Sequence, residues 1–255
     1  MKSFVNNLLS NFGLRLVNLD NFNKLLVLKN QQNAHKLIPF IKPSLLNQFL
    51  QNINFSKSQL GQDLFTLSEL NFKIDGFFVE FGATDGVSLS NTFLMEKKFN
   101  WGGILAEPAK QWHEKLNKNR SVFIEENCVW HSSNQTLTFN EIGELSTIDE
   151  FSSSDNHKKE RFAGKRYQVK TISLEDLLDK YNAPKVIDYL SIDTEGSEFD
   201  ILSSFNFERY KFRVITCEHN FTSNRQKIFN LLLEKGYERK YSGISKFDDW
   251  YVLKK

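Results

Sequence analysis

From residue 77 onward the chain alternates short apolar runs with longer stretches whose apolar residues recur at helical spacing. Phe77-Phe78-Val79-Glu80-Phe81 is almost continuously apolar, as expected of a strand covered on both faces. The turn Gly82-Ala83-Thr84-Asp85-Gly86 follows, then a predicted helix over 90–98, a strand over 103–107 and a helix over 109–119 opened by Pro108. A third strand starts at 122–124 and runs towards 128–130. The rhythm breaks over 131–165, where 136–139 reads as a strand and 152–159 as a polar surface loop. It resumes at Ile172 with a helix over 174–181, a strand over 186–192 and a helix over 199–205. A strand over 214–217, a helix over 223–235 stopped by Gly236, and closing strands over 237–241 and 250–253 complete the pattern.

Strands and helices alternating at this spacing predict an α/β fold: a doubly wound, mostly parallel, seven-stranded Rossmann-like sheet. The terminal hairpin separates this layout from a dinucleotide-binding domain, which ends in a sixth parallel strand. Residues 1–57 carry apolar positions at helical spacing, among them Phe4, Leu8, Leu9, Leu14, Leu16, Val17, Leu25, Leu26 and Leu28. They predict an N-terminal segment of two or three amphipathic helices, best read as a cap on the main domain at 58–255. The same faces could pair two copies of the chain or touch a membrane surface.

Composition narrows the classes. The 255 residues are 40% hydrophobic, with 24 Phe to fill a core, and Lys+Arg 33 against Asp+Glu 31 leaves a net charge of +2. That balance supplies no global field for nucleic acid. No apolar run is long enough to span a membrane, and the N-terminus lacks a signal-peptide core and cleavage site. Cys128 and Cys217 both sit in apolar runs, which speaks against a disulfide scaffold and for a reducing, cytoplasmic location.

In a doubly wound sheet, ligands sit at the carboxyl ends of the strands. The first loop has no G-x-G-x-x-G, and Glu80 and Asp85 put negative charge where a pyrophosphate would lie. This suits a cationic ligand such as the sulfonium of S-adenosylmethionine, with Gly82, Ala83 and Gly86 allowing close backbone approach. Glu107, 25 residues beyond Gly82, can accept hydrogen bonds from a ribose diol. Glu125, Asn127 and Cys128 are candidates for the adenine edge. In Asp193-Thr194-Glu195-Gly196-Ser197-Glu198, three acids crowd the end of a buried strand, and Glu218-His219-Asn220 ends its neighbour. Asp193, Glu218 and Asn220 could bind Mg²⁺ or Mn²⁺, or His219 could act as a base without metal, or the acids could be purely structural. His157, Arg161 and Arg166 fall in a solvated loop, His113 and His131 in polar stretches, and Trp250 in the core.

Three of these blocks together, residues 77–86, Ile104-Leu105-Ala106-Glu107-Pro108 and residues 191–198, resemble the FkbM-type methyltransferase family. Ser58-Gln59-Leu60-Gly61-Gln62-Asp63 and Glu218-His219-Asn220 are similar to it too, so the resemblance covers about 58–254. It implies a class I S-adenosylmethionine-dependent fold and O-methylation of a sugar, glycan or related natural product, nucleotide sugars included. It places Glu80, Gly82, Asp85 and Glu107 at the cofactor, with Asp193, Glu195, Glu218 and His219 on the substrate side. The insert at 131–170 would then wall the acceptor. A nicotinamide-dependent oxidoreductase and a non-catalytic adapter are the competing classes.

Overall fold

The computed structural model describes residue 30 and residues 32–254. Among the described residues, a helical stretch at 32–35 and the helices α1 (Leu46–Asn52) and α2 (Gln62–Glu69) precede the sheet. Then come β1 (Phe77–Phe81), α3 (Phe93–Phe99), β2 (Gly102–Ala106), α4 (Lys110–Asn119) and β3 (Phe123–Glu125). The middle of the chain holds β4 (Cys128–Trp130), β5 (Thr136–Glu141), β6 (Thr147–Ile148), a short α5 (Lys158–Arg161) and β7 (Lys165–Ser173). Alternation then resumes with α6 (Leu174–Lys180), β8 (Val186–Ile192), α7 (Glu198–Ser204), β9 (Lys211–Glu218), α8 (Asn224–Glu234), β10 (Tyr237–Lys240) and β11 (Asp248–Leu253).

Seven strands form the main sheet in the order β10-β11-β9-β8-β1-β2-β3. All neighbours are parallel except β11, which runs antiparallel to both β9 and β10. The chain moves outward from β1 through β2 to β3 and later returns to the other side of β1 as β8. The order therefore reverses between β1 and β8, and their carboxyl ends open a crevice there. Alternation along β1 feeds two cores: Val79 and Phe81 join the α6–α8 side, and Phe78 joins the α2–α3 side.

Residues 1–29, and with them most of the predicted amphipathic segment, lie outside the described residues. Over 32–57 the chain forms short turns rather than long helices, because Pro39 and Pro43 each open a 3₁₀ turn. Ala34, Leu37, Phe49 and Ile53 pack against Leu64 and Phe65 of α2. Phe65 in turn stacks on buried Trp250 of β11, with ring centroids 4.8 Å apart.

The middle of the chain corrects one expectation. The third strand does not continue to 130: β3 pairs with β2, whereas β4 leaves for a second sheet of order β4-β7-β5-β6. The break is held by Glu125, whose carboxylate accepts both the Asn127 amide nitrogen at 3.0 Å and its Nδ2 at 2.7 Å. The second sheet closes over its own core of Ala109, Cys128, Trp130, Phe139, Ile148 and Val169. Cys128 and Cys217 are buried free thiols. Among the described residues, no helix is long and apolar enough to cross a membrane.

At the crevice, Gly82 has φ +73°, and a Cβ there would lie 2.2 Å from the Asp193 carbonyl oxygen. Both features require glycine. Gly82→Ala is expected to lower stability by about 2 kcal/mol or more, as measured by urea denaturation; a loss within experimental error would contradict this close packing.

Candidate active site

The first loop is organised around Glu80. Its buried carboxylate accepts the Asn91 amide at 2.7 Å, the Ser90 hydroxyl at 3.1 Å and the Thr92 hydroxyl. Arg120, itself fully buried, lies 3.8 Å away and also donates to the Gly86 carbonyl at 3.0 Å and to Glu96. Asp85 accepts the Val87 and Ser88 amides at 2.9 and 2.7 Å, so it caps the turn. A cleft of about 940 Å³, measured to its open mouth, begins at this loop. Glu80 and Gly82 line it; Ala83, Asp85 and Gly86 support the loop from behind.

Glu107 follows β2 and reaches the same cleft. Its oxygens accept the Thr84 amide at 2.7 Å and the Ala109 amide at 2.8 Å. Burial, more than the nearby Glu141 and Asp193 charges, pushes its carboxyl up to about 7. Cys128 lines the cleft as a neutral thiol, pushed up to about 12 by burial and by Glu107. Asn127 does not reach it, because its amide is committed to Glu125, which in turn pairs with Lys180 at 2.6 Å. Phe139, Glu144 and Ile148 of the insert form part of the opposite wall.

At the end of β8, Asp193 and Thr194 face the cleft. Asp193 lies beside Glu218; burial raises both carboxyls, and Glu218 is raised further by its anionic neighbours. Glu198 turns back to accept the Thr194 and Gly196 amides at 3.1 and 2.9 Å. Oxygens of Asp193, Glu195 and Glu218 lie within 4.8 Å of one another. The cation beside them is a guanidinium: Arg161 Nη2 donates to Glu195 at 2.6 Å. Asn220 Nδ2 donates to Glu195 at 3.1 Å and to Glu218 at 2.9 Å, so it presents a donor where a metal ligand would present oxygen. The expected trio of Asp193, Glu218 and Asn220 therefore does not fit Mg²⁺ or Mn²⁺ in this arrangement.

Three further expectations change. Arg161 is not part of a solvated loop; it is fully buried, pairs with Asp155 at 2.7 Å and donates to the Leu145 carbonyl at 2.9 Å. His219 does not line the cleft. Successive side chains leave a strand on opposite faces, so where Glu218 turns towards Asp193, His219 turns towards Asp249, 3.8 Å away. Its Nδ1 accepts the Phe221 amide at 3.0 Å, and burial pushes its pKa down to about 4, so the ring is neutral. His113, expected in solvent, contacts the Glu107 carbonyl at 2.9 Å.

The profile of the Methyltransferase FkbM domain matches residues 80–241, more than half of the chain. The chain belongs to the FkbM methyltransferase family. Among solved structures, it is similar to a methyltransferase FkbM from Methylobacillus flagellatus KT, with 13% identity and a TM-score of 0.48 over 89% of this chain and 60% of that one. It is similar also to precorrin-6y C5,15-methyltransferase from Geobacter metallireducens GS-15, with 14% identity and a TM-score of 0.41 over 74% and 85%. A third is an S-adenosylmethionine-dependent methyltransferase from Aquifex aeolicus, with 12% identity and a TM-score of 0.36 over 87% and 97%. No curated protein matches the chain.

Family membership implies S-adenosylmethionine and sets the nicotinamide alternative aside. The residues of this FkbM methyltransferase fit that cofactor: Glu107 offers a buried acceptor for a ribose diol, and the lining carries carboxylates suited to a sulfonium. Several cleft residues carried no assignment in the sequence. Gln62 lies in the recognisable Ser58–Asp63 run, where Gly61 has φ +91° and Asp63 is buried beneath Ser56 and Ser58. Asn91 and the insert wall have no local signature, and neither does Arg161.

Removing the cation from this buried cluster leaves carboxylates unpaired. Arg161→Met should cost about 3–5 kcal/mol of stability at neutral pH, and adding Glu195→Gln should restore only part of it, because Asp155 is still left without its cation. Denaturation of the four proteins of this double-mutant cycle tests both; additive losses would show that the pair is not coupled.

Proposed function

We propose that this FkbM methyltransferase transfers a methyl group from S-adenosylmethionine to a hydroxyl of a sugar, glycan or related natural product. The observation that carries the reading is one cleft lined by both Glu107 and Asp193, from the ends of β2 and β8 on either side of β1. The cofactor, when bound, supplies an electrophilic methyl on a cationic sulfur. Glu107 would anchor the ribose, and the loop at Gly82 would receive the methionine end. Asp193 would accept the proton that the acceptor hydroxyl loses as its oxygen takes the methyl, a role transferred to it from His219. Its raised carboxyl makes it a stronger base than a solvated aspartate. The insert residues Phe139, Glu144 and Ile148 would bear on the acceptor, and most of the rate would come from aligning the hydroxyl with the methyl.

The ionised form of Glu107 accepts the diol hydrogen bonds and the protonated form does not. Affinity for S-adenosylhomocysteine should therefore fall as pH drops through about 7, approaching tenfold per unit below it. Calorimetric titration checks this. Glu107→Gln should bind roughly tenfold or more weakly and lose the pH dependence; an unchanged wild-type profile in this variant would overturn the ribose assignment.

Asp193→Asn separates chemistry from cofactor binding. Turnover on the first glycan acceptor found with labelled cofactor should fall by about 10²–10⁴-fold. Affinity for S-adenosylhomocysteine should stay within about threefold, a difference of well under 1 kcal/mol. Unchanged turnover would remove Asp193 as the base.

A further inference from the structure

The cleft presents hydrogen-bond acceptors and almost no free donors. Six hydroxyl side chains line it, those of Thr84, Ser88, Ser90, Ser146, Thr194 and Ser197. A hydroxyl has one proton to donate, and each of these is directed into the protein. Ser88 donates to Asp85 at 2.9 Å, Ser90 to Glu80 at 3.1 Å and Thr194 to Glu198 at 3.0 Å. Ser146 donates to the Gly143 carbonyl at 2.7 Å, Ser197 to Thr194 Oγ1 at 2.8 Å and Thr84 to the Ser88 carbonyl at 3.5 Å. The side-chain amides of Gln62 and Asn91 each give one N–H, to Asp248 at 3.0 Å and to Ser191 Oγ at 2.9 Å, which leaves the Gln59 amide as the main side-chain donor of the lining.

On the acceptor side of the balance stand the carboxylates of Glu80, Glu107, Glu144 and Asp193, and among the described residues no Lys, Arg or His lines the cleft. Asn91 also lines the cleft; it is only 8% exposed, and its buried Oδ1 has no hydrogen-bond partner among the described residues.

We propose that the acceptor taken by this cleft is a polyol that brings hydrogen-bond donors and no negative charge: a neutral sugar or an amino sugar. Phosphate- and carboxylate-bearing sugars, and the diphosphate of a nucleotide sugar, are excluded from it. The proposal rests on the methyl-transfer reading above and narrows its acceptor class. Beyond the cofactor, an anionic acceptor would meet Glu144 and Asp193 in a partly desolvated space with no side-chain cation of the lining to pair with. A sugar hydroxyl donates to the same groups, and an ammonium does so with charge assistance.

The test uses the 255-residue chain saturated with S-adenosylhomocysteine. Four pools are presented to it, of neutral methyl glycosides, amino sugars, uronic acids and nucleotide sugars, and binding is read by saturation-transfer NMR with competition titrations. The best neutral or amino sugar should bind at least about tenfold more tightly than the best member of either anionic pool. Comparable binding of a uronic acid or a nucleotide sugar overturns the proposal, and so does binding from none of the pools. Failure of S-adenosylhomocysteine to bind is a separate result, seen before any sugar is added, and overturns the cofactor reading instead. Glu144→Lys puts a cation at an exposed position of the lining. It should shrink the discrimination against anions by about threefold or more; unchanged discrimination would locate its origin outside the cleft and overturn the assignment.

Discussion

Taking a carboxylate out of water costs several kcal/mol unless hydrogen bonds or a cation replace the lost hydration. This chain buries Glu80, Glu195, Glu198 and Glu218 near the carboxyl edge of one sheet, each less than a tenth exposed. Their partners account for much of the local structure. Glu80 gathers the 90–92 segment, and Arg120 returns from the end of α4 to the same place. Glu198 folds its own loop by accepting amides from Thr194 and Gly196. Glu218 is accommodated by the Asn220 amide, and Glu195 by Arg161.

Arg161 gives the last of these solutions a longer reach. It belongs to the insert, where it is held by Asp155 and the Leu145 carbonyl, yet its guanidinium closes on Glu195 of the main sheet. Thr147 adds a second tie, donating to the Glu195 carbonyl at 3.0 Å. The second sheet has its own apolar core and shares the main one through Val129 and Ile172, and these polar contacts add to that packing in fixing where its wall stands over the cleft. Glu195 and Asn220 carry the strain of that arrangement, with φ of +60° and +41°.

Two carboxylates in the one cleft are tuned by different surroundings. Glu107 is desolvated and fixed by two backbone amides, which suits an anchor that accepts and does not move. Asp193 is only half-buried and its carboxyl is raised to about 6, which suits a group that gains and loses a proton. Ser88, Ser90 and Thr194 turn their hydroxyls to other acids, because a carboxylate is the strongest acceptor within reach. Stabilising the buried acids thus leaves the cleft itself rich in acceptors, and the chemistry of recognition follows from the needs of the fold.

Apolar periodicity and turn residues are local information, and they sufficed for the strands of the main sheet, its hairpin end and the strand-end positions of Glu80, Glu107 and Asp193. Motif spacing along one chain was enough to show the family. Which face a strand-end residue takes, and what lies opposite, depends on contacts between segments far apart in sequence. Glu218 and His219 are adjacent in the chain and part company only because neighbouring side chains leave β9 on opposite faces. Arg161 reads locally as one more cation in a polar loop, and only the folding of the insert onto the main sheet, 34 residues away from it at Glu195, makes it the buried counter-charge. The sequence by itself determined the sheet and the inventory of acids; tertiary structure decided which acids meet, which cation they meet, and which face the cleft, since desolvation is a property of the assembled surroundings.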